Sequence, residues 1–141
     1  MNRGKIKIWE TKHQKFVVEV KLADGNLWLT KHEIADLFNV TVTTVSNSLH
    51  SIFKSGILRE EEVTSIHLTD QNGKQCQTTL YNLEALIFVS YRVRSGEARV
   101  FRQWVTNALC EYTVGKKNVT AGEVLVTYNL LKNQSSSIAL N

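Results

Sequence analysis

Two helical patterns follow each other closely in residues 30–53, and only two residues separate them. Thr30 and Glu33 form the S/T-x-x-E pattern of a capping box, which predicts the start of the first helix. Thr41 begins the second pattern. A connection this short requires a sharp turn, and Asn39 can adopt the left-handed backbone conformation that such a turn needs. The segment is therefore typical of a helix-turn-helix, and it constrains the fold more than any other feature.

Helical spacing also predicts which faces of these helices are buried. Ala35 is small enough for the closest approach of two steeply crossing helices, and Val45 and Leu49 are apolar anchors on the inner face. The predicted outward positions of the second helix are polar: Thr43, Thr44, Asn47 and His50. The alternative is a plain pair of amphipathic core helices that binds nothing.

Alternating apolar and polar residues predict strands on both sides of the two helices. Residues 6–22 alternate before turn residues, so we expect a small N-terminal antiparallel sheet. After the helices, Asn72 and Gly73 stand between two β-prone runs, which is a strong signal for a tight hairpin. A hairpin directly after a helix-turn-helix is the arrangement of a winged helix, whose tip can reach the DNA backbone or minor groove. The alternative is a structural hairpin that covers the core.

Two more helices are predicted in the second half of the chain. Asn82 can cap a helix that is apolar nearly all round and therefore buried, and another helix starts near Glu97. We expect one compact domain at 1–117 and a C-terminal extension at 118–141, with a short helix and then a frayed end. The predicted fold class is α+β: a winged helix-turn-helix-like domain with N-terminal antiparallel strands, a β-hairpin wing and C-terminal helices.

The positive charge lies in the second half of the chain. Residues 1–70 hold nine Lys/Arg and nine Asp/Glu, whereas residues 71–141 hold eight and four. A basic surface is weakly indicative of nucleic-acid binding. Four of these cations fall within eleven residues and can form one basic ridge: Arg92, Arg94, Arg99 and Arg102. The alternative is that they pair with nearby carboxylates or helix-end carbonyls and hold two helices in place.

Cysteine and histidine usage indicates no metal or disulfide. Cys76 and Cys110 have no CxxC spacing, and the four histidines lie in unrelated segments. We expect both cysteines to be buried as small apolar residues. No apolar run approaches the roughly 20 residues of a membrane span, and the N-terminal residues lack the apolar region of a signal peptide. We therefore expect a cytoplasmic protein with no cofactor, no metal and no membrane partner.

Enzyme signatures are missing from the sequence. It contains no GxSxG, Walker A, HExxH or Rossmann fingerprint. The acidic run at residues 60–62 is typical of a solvated turn rather than of a catalytic carboxylate pair. We therefore expect no catalytic residues and no enzymatic activity.

Several short stretches match a known family pattern. The most specific are Tyr-Arg-Val-Arg-Ser at residues 91–95 and Phe-Arg-Gln-Trp-Val at residues 101–105. Further matches lie at residues 27–30, 34–38, 46–48, 51–53, 56–58 and 81–84. On these residues the chain resembles the virulence RhuM family, roughly from residue 5 to residue 117, and it is also similar to phage antirepressor modules of the Bro-N type. The resemblance implies a DNA-binding regulatory protein, often encoded on mobile DNA, and it implies no catalytic residues.

We therefore predict a protein that binds double-stranded DNA and regulates transcription through the helix-turn-helix at 30–53. The residues predicted to contact DNA are Thr41, Thr43, Thr44, Ser46, Asn47, His50, Lys54, Asn72, Lys74, Arg92, Arg94, Arg99 and Arg102. The second helix has no arginine for guanine readout, which favours an alternative function. That alternative is an antirepressor-type module that binds a repressor protein instead of DNA. A homo-oligomer is compatible with either function.

Overall fold

Helices and antiparallel strands are interleaved along the described part of the chain. The structure is a computed structural model, and it describes residues 2–113 and 123–129. Its elements are β1 (Lys5–Glu10), β2 (Lys15–Lys21), α1 (Lys31–Phe38), α2 (Val42–Ser55), α3 (Glu60–Val63), β3 (Thr64–Gln71), β4 (Lys74–Tyr81), α4 (Leu83–Ser90), α5 (Gly96–Thr113) and β5 (Glu123–Asn129). The strands form one sheet of order β1-β2-β5 and one separate hairpin, β3-β4. The predicted α+β class is confirmed.

The N-terminal sheet packs one face against the helices. Val18 and Val20 on β2 are fully buried, whereas Glu19 between them is exposed. This is the alternation expected of a half-buried strand, because successive side chains point to opposite faces. β1 pairs with β2 in antiparallel register, with Ile8 opposite Val18. The predicted N-terminal antiparallel sheet is therefore confirmed.

The third strand of this sheet departs from the sequence prediction. We expected a short helix in this part of the chain, but Glu123–Asn129 is a strand that pairs antiparallel with β2. The helix prediction was wrong because the edge of β2 supplies backbone partners that sequence spacing does not reveal. The segment is also rich in residue types that favour strands: Val124, Val126, Thr127 and Tyr128. Residues 114–122 and 130–141, including the predicted frayed end, lie outside the described residues.

The helices enclose an aromatic centre. Phe101 of α5 lies 5.6 Å from Phe38 of α1 and 5.5 Å from Trp104, measured between ring centroids. Asn82 caps α4 as predicted, because its Oδ1 accepts a hydrogen bond from the N–H of Ala85 at 3.0 Å. None of the helices in the described ranges is both long and apolar enough to cross a membrane.

Two expectations about buried residues were wrong. Cys76 and Cys110 are both exposed. Cys76 lies on the outer part of the β3-β4 hairpin, and Cys110 lies in the last turns of α5. Leu109 and Tyr112, which lie next to Cys110 near the end of α5, are exposed as well. The common reason is that both segments extend beyond the packed core.

Candidate nucleic-acid interface

Capping interactions define the two helices that the sequence predicts as a helix-turn-helix. The Oγ1 of Thr30 accepts a hydrogen bond from the N–H of Glu33 at 3.1 Å, and Glu33 Oε1 accepts one from the N–H of Thr30 at 2.8 Å. Asn39 ends α1 in the left-handed conformation, with φ 55° and ψ 48°. Thr41 Oγ1 accepts the N–H of Thr44 at 3.1 Å and so caps α2. The capping box, the left-handed Asn39 and the start of the second helix at Thr41 are all confirmed.

The inner face of α2 is buried as the spacing predicts. Val45, Leu49 and Ile52 have almost no exposed surface, and Ala35 of α1 is buried beside them. Ser48 is also buried, and its hydroxyl donates to the backbone carbonyl of Thr44 at 2.9 Å. These contacts fix the rotation of α2 about its axis, so its outer face is held in one orientation.

The outer face of α2 forms a polar stripe. Its members are the exposed residues Thr43, Asn47, His50 and Lys54, which recur at intervals of three or four residues. We call these four residues the α2 stripe. The stripe combines a hydroxyl, an amide, an imidazole and an ammonium group, so it can donate hydrogen bonds to base edges or phosphates and accept them from bases.

The other predicted residues of this segment lie at the margins of the stripe. Thr41 and Thr44 share a hydrogen bond between their hydroxyl oxygens at 2.8 Å, which engages both in the helix cap. Ser46 is only half exposed and lies beside a cleft on the flank of α2. The α2 stripe is therefore narrower than the set of residues that the sequence suggested.

The predicted hairpin is confirmed, with a tight turn at its tip. Asn72 and Gly73 have φ values of 55° and 77°, which is the pair of left-handed residues that a type I′ turn needs. Lys74 is exposed beside them. At the base of the hairpin, the ring of Tyr81 stacks on Phe53 of α2, with 6.5 Å between centroids and 19° between planes. The hairpin thus starts from the flank of α2, and its tip residues Asn72 and Lys74 lie at its far end.

The four predicted arginines divide into two pairs. Arg102 donates a hydrogen bond to the backbone carbonyl of Ser90, and its guanidinium lies 5.8 Å from the ring centroid of Tyr91. Arg92 donates to Ser51 Oγ at 2.6 Å, which ties the end of α4 to α2. These two arginines make the structural contacts of the alternative interpretation.

The second pair is differently placed. Arg94 is exposed and Arg99 is half exposed, and their side chains make no hydrogen bond or ion pair within residues 2–113. Both are therefore available for an external anion. The four arginines therefore do not share one role: the side chains of Arg92 and Arg102 donate hydrogen bonds within the protein, whereas those of Arg94 and Arg99 donate none within the described residues.

Two polar residues beside α2 are absent from the set that the sequence predicted to contact DNA. Lys31 and Tyr81 line a cleft of about 400 Å³ together with Ser46, His50 and Lys54. Lys31 is the first residue of α1 and Tyr81 is the last residue of β4, so only the tertiary structure brings them to α2. The one local signal was that Tyr81 opens the family-like stretch at residues 81–84.

Burial and ion pairing shift two pKa values near these helices. Burial raises the pKa of the Tyr81 hydroxyl, and the negative charge of Glu60 adds to this effect. Tyr81 is therefore a protonated donor at neutral pH. Partial burial acts to raise the pKa of Glu33, but hydrogen bonds from Arg3 at 2.9 Å and 3.1 Å outweigh it and lower the pKa. The Glu33 carboxylate therefore stays charged in its capping role.

The described side chains form no group of three or more His, Cys, Asp or Glu residues that could hold a metal ion. Residues 60–62 lie in α3, where all three glutamates are exposed. The candidate site is thus composed of neutral polar and cationic groups around α2, the hairpin tip and the start of α5.

Comparison with known proteins gives a family match. The sequence model of the Virulence protein RhuM family matches residues 61–134, which is more than half of the chain. The matched segment includes the hairpin, α4 and α5, with the stretches at residues 91–95 and 101–105, whereas α1 and α2 precede it. No curated protein and no solved structure shows significant similarity to the chain.

Proposed function

We propose that this chain, which belongs to the Virulence protein RhuM family, binds double-stranded DNA through α2 and regulates transcription in the cytoplasm. The observation that supports this most is the α2 stripe, because it is a continuous polar face on a helix whose opposite face is buried. We propose a binding protein and not an enzyme, since the groups of the site have no arrangement typical of catalysis.

The dimensions of α2 suit the major groove. The helix has 14 residues, which corresponds to about 20 Å of length. The major groove of B-DNA is about 12 Å wide and admits one α-helix. Thr43, Asn47 and His50 would face base edges, and an asparagine amide can bind adenine through two hydrogen bonds. Lys54, at the end of the stripe, would contact a phosphate.

Cations outside α2 can add contacts to the DNA backbone. Lys74 at the hairpin tip and Arg94 before α5 are both exposed. Such contacts stabilise the complex on every sequence and make its affinity fall with salt. In this proposal, the α2 stripe distinguishes DNA sequences, and these cations bind the phosphates of any duplex.

The test is binding of the full chain to a genomic duplex library at two salt concentrations, followed by fluorescence anisotropy on the enriched site. His50→Ala should lower affinity for the enriched site and leave affinity for random DNA nearly unchanged. His13→Ala is the matched control, because His13 is exposed in the turn between β1 and β2. Absence of any duplex binding at low salt would contradict the proposal.

A second candidate function has its own supporting observation. The α2 stripe contains no arginine, and two apolar side chains, Ile66 and Leu68, are exposed on one face of the hairpin. Exposed apolar side chains of this kind are typical of protein contacts. An antirepressor-type module that binds a repressor would use this hairpin face and would show no sequence-selective DNA binding. The library experiment therefore distinguishes the two functions.

A further inference from the structure

The cleft beside α2 has the size and the mixed lining of a ligand-binding site. Its volume is about 400 Å³, and four separate elements line it: α1, α2, the first residue of α3 and the end of β4. Leu49 and Phe53 form an apolar wall, and the remaining lining is polar. A cleft of this size and mixed lining suits a small ligand with one charged end.

The unusual group in this cleft is the hydroxyl of Tyr81. Tyr81 is only 5% exposed, yet its hydroxyl makes no hydrogen bond within the described residues. Within the described residues the one buried side-chain polar atom without a partner is Trp104 Nε1, so the Tyr81 hydroxyl oxygen is still accessible from the cleft. Because Tyr81 lines the cleft, a ligand with an acceptor oxygen is the partner that fits.

The charges around the cleft define the ligand further. Lys31 and Lys54 supply two ammonium groups, and Ser46, His50 and Tyr81 supply further hydrogen-bonding groups. The carboxylate of Glu60 is the opposing negative charge in the lining, and it is exposed to solvent. Several donors around one small volume suit a tetrahedral oxyanion, because a phosphate has three or more acceptor oxygens.

We propose that this cleft binds a phosphate group, with Lys31 and Lys54 neutralising its charge and Tyr81 donating a hydrogen bond to one of its oxygens. The phosphate can belong to a free phosphate monoester or to the backbone of a DNA duplex. His50 and Lys54 belong to both the cleft and the α2 stripe, so a free phosphate ligand would compete with DNA. This last consequence rests on the proposed function, whereas binding of the phosphate itself does not.

The first test uses phenyl phosphate as the probe, because its ring can contact Phe53 while its phosphate reaches the lysines. The full chain is titrated in phosphate-free buffer and followed by NMR shifts of backbone amides. We expect saturable shifts at Ser46, His50 and Lys54, with a Kd on the order of 1 mM. Tyr81→Phe keeps the stacked ring and removes only the hydroxyl, and it should weaken binding about tenfold.

Matched variants control for general effects. Tyr91→Phe changes an exposed tyrosine outside the cleft, and Lys74→Met removes a lysine at the hairpin tip. Both should leave the Kd for phenyl phosphate within about twofold. Lys54→Met should weaken binding several-fold, because it removes one of the two ammonium groups. Shifts scattered over the surface, or an unchanged Kd in Tyr81→Phe, would overturn the proposal.

A second experiment, which measures duplex binding, identifies the source of the phosphate. If the cleft takes a DNA phosphate, Tyr81→Phe should weaken binding to every duplex by a similar factor. If it takes a free monoester, duplex affinity should be unchanged in Tyr81→Phe, and displacing the duplex from this variant should need about tenfold more phenyl phosphate than displacing it from the unsubstituted chain. Failure of all duplex binding would count against the proposed function. The titration with phenyl phosphate would still show whether the cleft binds a phosphate group.

Discussion

The inner face of α2 and the exposed face of the β3-β4 hairpin contain the same kinds of apolar residue in opposite environments. Leu49 is 2% exposed in α2, whereas Leu68 is 56% exposed in the hairpin. Ile52 and Ile66 repeat the contrast at 1% and 63%. α2 is therefore an element of the core that also has an outer face, while the outer hairpin has no buried face and is held at its base.

Because they are held so differently, the two regions suit different kinds of recognition. A helix fixed by the core presents its polar groups at fixed positions, which lowers the entropic cost of specific contacts. A two-stranded hairpin with no packed face is marginally stable by itself and adapts to what it touches. We expect sequence selectivity from α2 and general affinity from the hairpin.

The largest expected effect is on folding. Leu49→Ala should lower the free energy of unfolding by about 2–5 kcal/mol, because it leaves a cavity between α2 and the core. Leu68→Ala is the matched change in the hairpin and should stay within about 0.5 kcal/mol. Chemical denaturation of both variants measures the difference. Equal losses would show that the hairpin face is buried against something in solution.

The next effect is on DNA selectivity. Asn47→Ala should weaken binding to the preferred site by about 1–3 kcal/mol and leave binding to random duplex nearly unchanged, because only base contacts distinguish sequences. Fluorescence anisotropy with both duplexes measures this. A parallel loss on the two duplexes would mean that α2 does not contact bases and that its fixed outer face serves another purpose.

A third prediction separates the two kinds of arginine. Arg102→Met should lower the free energy of unfolding by about 1–2 kcal/mol, because it removes the hydrogen bond to the Ser90 carbonyl at the end of α4. Arg94→Met should leave the melting temperature unchanged and make the salt dependence of DNA binding shallower by about one unit. Melting curves and salt titrations of both variants check this. A large loss of stability in Arg94→Met would place that side chain among the structural contacts.

The smallest effect is expected at the hairpin tip. Lys74→Met should weaken binding slightly and equally on all duplexes, with a salt slope shallower by about one unit. Lys12→Met is a suitable control, since Lys12 is an exposed lysine in the turn between β1 and β2 and is not part of the hairpin. If Lys74→Met changed the selectivity for DNA sequence instead, the contrast between a selective α2 and a hairpin that adds only general affinity would be wrong.

The α1-α2 unit could be predicted because its determinants are local. The capping box at Thr30, the left-handed Asn39 and the apolar spacing of Val45 and Leu49 all act within one or two turns of helix. The turn at Asn72 is local in the same way. The polar face of α2 followed from periodicity alone, so this part of the candidate site was also predictable.

The features that the sequence did not reveal depend on distant partners. β5 is a strand because β2 pairs with it, and the apolar spacing within residues 123–129 is also compatible with a helix. The cleft at Tyr81 needs four elements to come together: α1, α2, α3 and β4. Cys110 lies beyond the core, although the helical spacing of α5 continues past Trp104 without interruption. Periodicity predicts a face but not where the core that covers it ends.

The pairing of β2 with β5 also bears on how the chain folds. It joins residues about a hundred positions apart, such as Lys21 and Glu123. Contacts of such long sequence separation form late, because the loop-closure entropy must be overcome first. During synthesis, the α1-α2 unit can form soon after it leaves the ribosome, while the N-terminal sheet remains two-stranded until Asn129 has been made. We expect a slow folding phase that reports the arrival of β5.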